Sequence, residues 1–133
     1  MKMKLWIIVV AALFLTFCSL QGRLESKLTN EWRIERFEQR EAGEETVVIE
    51  NAGTITLSSG GRGSQSFTTA IVHAGSSAAS DFTWKNSERA VTIKTEDAEY
   101  PKVWIVVEPG RTKQLWYSTD SKGNLQIMEL KKK

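Results

Sequence analysis

Hydrophobic and polar residues alternate along most of the chain after residue 30, as they do in half-buried β-strands. In the segment 54–58, Ile55 and Leu57 fall on one face, with threonine and serine on the other. The glycine-rich segment 60–63 follows, and a second alternating run occupies 66–72. Two such runs joined by a short glycine-containing segment predict a β-hairpin.

Further short runs follow the same rhythm, each bounded by turn residues. An early strand is predicted around Trp32, and residues 73–80 are small and predict a loop. Residues 46–50 form either another strand or an ordered part of the first loop. The later predicted strands are 81–85, 90–95, 102–108, 113–119 and 124–130. Regular short strands with tight turns predict an all-β fold, an antiparallel up-and-down meander β-barrel of about eight strands, because closure removes exposed edges.

The segment before the first strand has a different spacing. Leu24, Leu28 and Trp32 lie four residues apart, as on one face of a helix. Two interpretations of residues 21–29 remain open: a short helix that plugs one end of the barrel, or a linker without regular structure. Residues 30–133 form the predicted barrel domain in either case.

The first twenty residues have the pattern of an export signal. Lys2 and Lys4 precede an unbroken apolar run from Leu5 to Leu15, which is typical of a secretory signal peptide. A transmembrane anchor needs about 20 apolar residues, more than this run provides. Residues 1–20 are therefore expected to direct the protein to the cell envelope, periplasmic or at the outer membrane, or alternatively to secretion.

The single cysteine lies at the end of this segment. Residues 15–18, Leu-Thr-Phe-Cys, are similar to a bacterial lipoprotein processing site, at which the cysteine is lipidated and becomes the first mature residue. Lipidation of Cys18 would attach the protein to a membrane through a lipid anchor. The alternative is cleavage by the ordinary signal peptidase near Cys18. No second cysteine exists, so no internal disulfide stabilises the fold.

The charge balance argues against a nucleic-acid partner. The chain has 18 Lys and Arg residues against 16 Asp and Glu residues. Without Lys2 and Lys4 the remainder is neutral, whereas nucleic-acid binding needs a clustered basic excess.

Candidates for catalysis are few. His73 is the only histidine, beside Ser76, Ser77 and Asp81 in a segment of small residues, whereas a catalytic triad needs a rigid frame. One histidine and one cysteine also leave little beyond carboxylates to bind a metal. The acidic clusters Glu44-Glu45 and 96–99 are expected to be solvated turns. The sequence predicts no catalysis, metal or cofactor.

The tryptophans are the most distinctive residues of the predicted barrel. Either they fill a narrow barrel, as side chains do in small barrels, or some of them line a ligand pocket or form a binding surface. In the strand at 102–108, Trp104 and Val106 lie on one face and Val103, Ile105 and Val107 on the other, so one set points outward. An inward Trp104 favours a pocket. The candidate ligand-binding residues are Trp32, Trp84, Trp104, Trp116 and Tyr117.

Several landmarks together resemble the bacterial lipocalin-like domain family over residues 28–131. They are Trp32 early in the first strand, the segment 54–57 before a glycine-rich turn, Phe82-Thr83-Trp84, Tyr100, Leu115-Trp116-Tyr117 and the last strand. The resemblance implies a small exported or lipid-anchored β-barrel.

The resulting expectation is a non-catalytic, exported, lipocalin-like protein that binds a small hydrophobic ligand. The ligand would enter between the loops at 60–63, 73–80 or 96–101. The alternative is a protein- or carbohydrate-interaction module, including an inhibitor, whose barrel is filled by side chains.

Overall fold

The computed structural model describes residues 20–68, 79–96, 98–120 and 122–133. A helix, α1, occupies residues 20–28 and leads directly into the first strand. The eight strands are β1 (Asn30–Arg40), β2 (Val47–Ser58), β3 (Arg62–Phe67), β4 (Ala79–Asn86), β5 (Ala90–Thr95), β6 (Lys102–Pro109), β7 (Lys113–Thr119) and β8 (Leu125–Lys132).

The strands form a closed antiparallel barrel in sequence order. Each strand pairs with the next, and β8 closes the barrel by pairing with β1, where Trp32 lies opposite Lys132 and Arg40 opposite Leu125. The predicted all-β meander barrel of eight strands is thereby confirmed. No helix within the described residues is long and apolar enough to cross a membrane.

Strand boundaries differ from the prediction at three places. The strand predicted at 66–72 is β3, which begins earlier, at Arg62 within the predicted turn 60–63, and ends at Phe67. The candidate strand at 46–50 is the first part of β2, a single twelve-residue strand. β2 is irregular opposite the bulge between Ile34 and Arg36 of β1. At this point of β2, Asn51 and Gly53 adopt positive φ angles of 51° and 140°, and the strand continues beyond them. The C-terminal boundary of the loop predicted at 73–80 was wrong, because Ala79 and Ser80 already belong to β4 and pair with β3. Residues 69–78 lie outside the described residues.

Helix α1 plugs one end of the barrel, which settles the open question about residues 21–29 in favour of a helix. Leu24 and Leu28 are buried in the core, and the Trp32 indole N–H donates to the Leu28 carbonyl at 2.9 Å. Gln21 and Asn86 exchange hydrogen bonds between side-chain amides and backbone carbonyls at 2.9 and 3.1 Å. These contacts fix the helix to the end of β4.

The barrel therefore has two different ends. The closed end holds α1, the start of β1 and the turns β2–β3, β4–β5 and β6–β7. At the other end, called the open end below, lie the ends of β1, β3, β5 and β7 and the starts of β2, β4, β6 and β8. The turn at 60–63 lies at the closed end, so it does not share an opening with the loop at 96–101.

Candidate functional site

The four candidate tryptophans all point into the barrel. Trp32, Trp84, Trp104 and Trp116 are each at most 6% exposed, and they belong to one hydrophobic core with the leucines of α1. The Trp104 and Trp116 rings pack against each other, with centroids 6.2 Å apart and planes tilted by 47°. Tyr117 lies on the outer face of β7 and is half-buried. The tryptophans thus fill the middle and the closed end of the barrel.

The hydrogen bonding of the indole N–H groups distinguishes Trp104 from the other three tryptophans. Trp32 donates to Leu28, Trp84 donates to the carbonyls of Ser58 and Arg62, and Trp116 donates to the Gln114 side chain at 2.7 Å. No acceptor for the Trp104 N–H lies among the described residues, yet no buried side-chain nitrogen or oxygen there lacks a partner. Trp104 therefore differs from the other three tryptophans, whose N–H groups all donate to acceptors within the described residues.

A cleft of about 790 Å³ occupies the open end of the barrel. Its volume is within the usual range for small-molecule sites. Strands β1, β6, β7 and β8 supply its walls, with the β5–β6 and β7–β8 connections at its rim. The lining residues are Gln39, Glu41, Tyr100, Pro101, Lys102, Val103, Ser118, Thr119, Asp120, Asn124 and Gln126.

Strand register places a polar wall at this end. Ser118 lies opposite Gln126, and Gln126 lies opposite Gln39, so these side chains share the inner face with Lys102, two residues before the buried Trp104. The Ser118 hydroxyl donates to the Val103 carbonyl at 2.8 Å. The wall thus carries amide, hydroxyl and ammonium groups directly above the tryptophan layer.

Lys102 is the only cation on this wall. Its ammonium lies 4.7 Å from the Trp104 ring centroid, within reach of a cation–π interaction, and it donates to Gln126 Oε1. Although the Lys102 side chain is exposed to solvent on one side, desolvation by the surrounding walls lowers its pKa to about 8, and the nearby Asp120 carboxylate acts in the opposite direction. At pH 7 the ammonium is therefore still mostly protonated.

The opposite side of the open end is apolar. Ile49 lies opposite the buried Phe37 and therefore faces inward, and both Ile49 and Phe67 pack against the core. Val47 continues this face towards the rim and is 52% exposed. In an eight-stranded barrel β2 and β3 lie across from β6 and β7, so this apolar side faces the polar wall across the barrel, outside the lining of the cleft itself.

Carboxylates lie at the rim rather than on the walls. Glu41 accepts a hydrogen bond from the Gln39 side chain at 2.7 Å, and a hydrogen bond shared with Glu41 raises the pKa of Glu44. Asp120 accepts from the backbone N–H groups of Lys122 and Asn124 at 2.8 and 3.0 Å. These bonds, the one from Asn124 first, lower the pKa of Asp120 despite some burial. Asp120 therefore remains ionised and holds the β7–β8 turn.

Of the lipidation and triad candidates, only Asp81 is among the residues that the structure describes. Cys18, His73, Ser76 and Ser77 lie outside the described residues, whereas Asp81 is exposed on β4. Among the described residues no group of three or more potential metal ligands comes together.

Sequence reasoning missed Lys102, Ser118, Gln126 and Gln39. The signal for Lys102 was present, because alternation along β6 places it on the same face as Trp104. Ser118 and Gln126 share a face with Trp116 and Met128 in the same way. The sequence prediction named only aromatic residues as ligand-binding candidates, and the tryptophans among them occupy the tightly packed interior.

No protein-family model matches the chain, and no curated protein matches its sequence. The lipocalin-like resemblance therefore stays a prediction beyond the barrel fold itself.

Proposed function

We propose that the protein is a non-catalytic, lipocalin-like binding protein that holds a small, largely apolar ligand in the open end of its barrel. The observation that carries the proposal is the 790 Å³ cleft above a closed, tryptophan-filled half. Trp104, over whose ring the Lys102 ammonium lies, is buried and faces inward, the orientation that favours a pocket over an outer aromatic surface. The ligand's apolar part would contact Ile49 and Phe67.

The proposal includes export and a lipid anchor at Cys18. Helix α1 enters the barrel at the closed end, so an anchor preceding it would attach that end to the membrane. The open end would then face away from the membrane. A ligand would enter from the aqueous side.

Filling the cleft tests this function. Gln126→Trp introduces a large side chain on the polar wall, and we expect it to weaken binding of the apolar fluorophore N-phenyl-1-naphthylamine at least tenfold. The fluorophore is titrated into protein isolated without detergent from the periplasm of an expression host, and its emission is measured.

The matched control is Thr83→Trp, which adds the same side chain to the exposed outer face of β4. Equal binding by wild type, Gln126→Trp and Thr83→Trp would contradict the proposed location. No binding by the wild type would contradict the function.

A second candidate function is an interaction module, and it is supported by the outer face of β6. Val103, Ile105 and Val107 are 46%, 49% and 50% exposed, and Ile105 lies beside the half-buried Tyr117 of β7. A contiguous exposed apolar stripe on a sheet is typical of a contact surface. The simplest occupant is the same stripe of a second copy, since such a contact is self-complementary.

Analytical ultracentrifugation tests this candidate. The wild-type protein should form a dimer as its concentration rises, and Ile105→Lys should remain a monomer because it buries a charge in the contact. Thr83→Lys, on the outer face of β4, should behave like the wild type. A wild-type protein that is monomeric at all concentrations would contradict self-association through this stripe.

A further inference from the structure

Among the described residues, the Lys102 ammonium has no close anionic partner. No carboxylate there lies within 4 Å of it, and the ion pairs formed are Arg40–Glu38 and Lys131–Glu35. Its protein contacts are the Gln126 carbonyl oxygen and the Trp104 ring. An ammonium has three N–H donors, so donors remain for a group that enters the cleft.

The neighbouring carboxylates do not take this role. Glu41 accepts from Gln39, and Asp120 accepts from two backbone N–H groups and the Asn124 side chain. They lie on the cleft's rim, and their negative charge opposes the entry of a multiply charged anion. The arrangement therefore favours a head group with a single negative charge.

The donors that remain on Lys102 suit a carboxylate. One of its three N–H groups donates to Gln126 Oε1, and Lys102 itself lines the cleft. The buried Trp104 ring lies against the ammonium. A carboxylate, with two acceptor oxygens, matches the two remaining N–H donors.

We propose that the open end selects apolar ligands that carry one carboxylate, with Lys102 as its ionic partner. This inference rests on the proposed function and adds the chemistry of the head group. The ligand's apolar chain would lie along the opposite wall of Ile49 and Phe67, so that one molecule satisfies both sides of the opening.

Matched ligands test the inference by isothermal titration calorimetry at pH 7. We expect the wild-type protein to bind decanoate about tenfold more tightly than decan-1-ol, a difference of about 1.4 kcal/mol, since hydrogen bonds to charged groups are stronger than those between neutral groups. Lys102→Met should remove this difference, and Lys102→Arg should retain most of it. Decyl phosphate should bind more weakly than decanoate because of the rim carboxylates.

Glu41→Gln is the control for electrostatics. Removing one rim charge should tighten decanoate binding severalfold and leave decan-1-ol binding unchanged. A purely structural role of Glu41 would move both affinities together.

The decanoate affinity should also depend on pH. The titratable groups that face Lys102 across the cleft are Glu41, Asp120 and the Tyr100 phenol. Because the free Lys102 ammonium has a pKa of about 8, raising the pH from 7 to 9.5 should deprotonate it and weaken wild-type binding. Bound carboxylate favours the ammonium, so the loss should be centred above pH 8. Lys102→Met should show no such loss, whereas Tyr100→Phe should retain it.

The outcomes separate the two proposals. Equal wild-type affinities for decanoate and decan-1-ol would overturn the carboxylate preference and leave the proposed function intact. Binding of neither ligand would overturn the proposed function. Tighter binding of decyl phosphate than of decanoate would overturn the single-charge head group.

Discussion

At the residue scale, the interior is divided between aromatic packing and a few polar side chains. Trp32, Trp84 and Trp116 combine full burial with satisfied N–H groups, which is how tryptophan is accommodated in a core. Trp104 is similarly buried, but its N–H has no acceptor among the described residues. The tryptophan pattern predicted an aromatic interior, but it could not distinguish these roles, because N–H partners are set by three-dimensional packing.

Replacement of Gly53 should be strongly destabilising. A Cβ at this position would clash with the backbone carbonyl of Ser66, and its φ of 140° disfavours other residues. We expect Gly53→Ala to lower the free energy of unfolding by about 3 kcal/mol, measured by urea denaturation. Gly22→Ala in α1 meets nothing within 4 Å and should change stability by at most about 1 kcal/mol. Equal effects of the two substitutions would contradict the strained close approach.

At the scale of elements, alternation predicted most strands well. In β6 the pattern separated Trp104 and Val106 from Val103, Ile105 and Val107, and the structure places the first pair inside. Sequence alone could not choose the inward set, because both are apolar. The four-residue spacing of Leu24, Leu28 and Trp32 indicated a helical face, but its formation depends on burial against the barrel, which a local pattern does not reveal. The continuity of β2 was missed because its irregularity interrupts the alternation.

At the scale of the whole molecule, closure gives the barrel two unequal ends. The helix and three tight turns close one end, and the 790 Å³ cleft lies at the other. Sequence predicted the closed barrel but not the distribution of loops between the ends, so it grouped the turn at 60–63 with the loop at 96–101. The cleft is lined by polar residues of neighbouring strands that lie next to the buried tryptophans. Which polar residues meet there is decided by the register between the strands, which the sequence does not show.

The central claim, that the open end is the ligand site, is tested most directly by the tryptophan indole N–H resonances. Protein labelled with ¹⁵N-tryptophan is titrated with decan-1-ol, and each indole signal is assigned by replacing one tryptophan with phenylalanine. We predict a clear shift of the Trp104 signal, while the Trp32 and Trp84 signals, which belong to the closed end, stay in place. Binding that shifts Trp32 or Trp84 and leaves Trp104 unchanged would contradict the account.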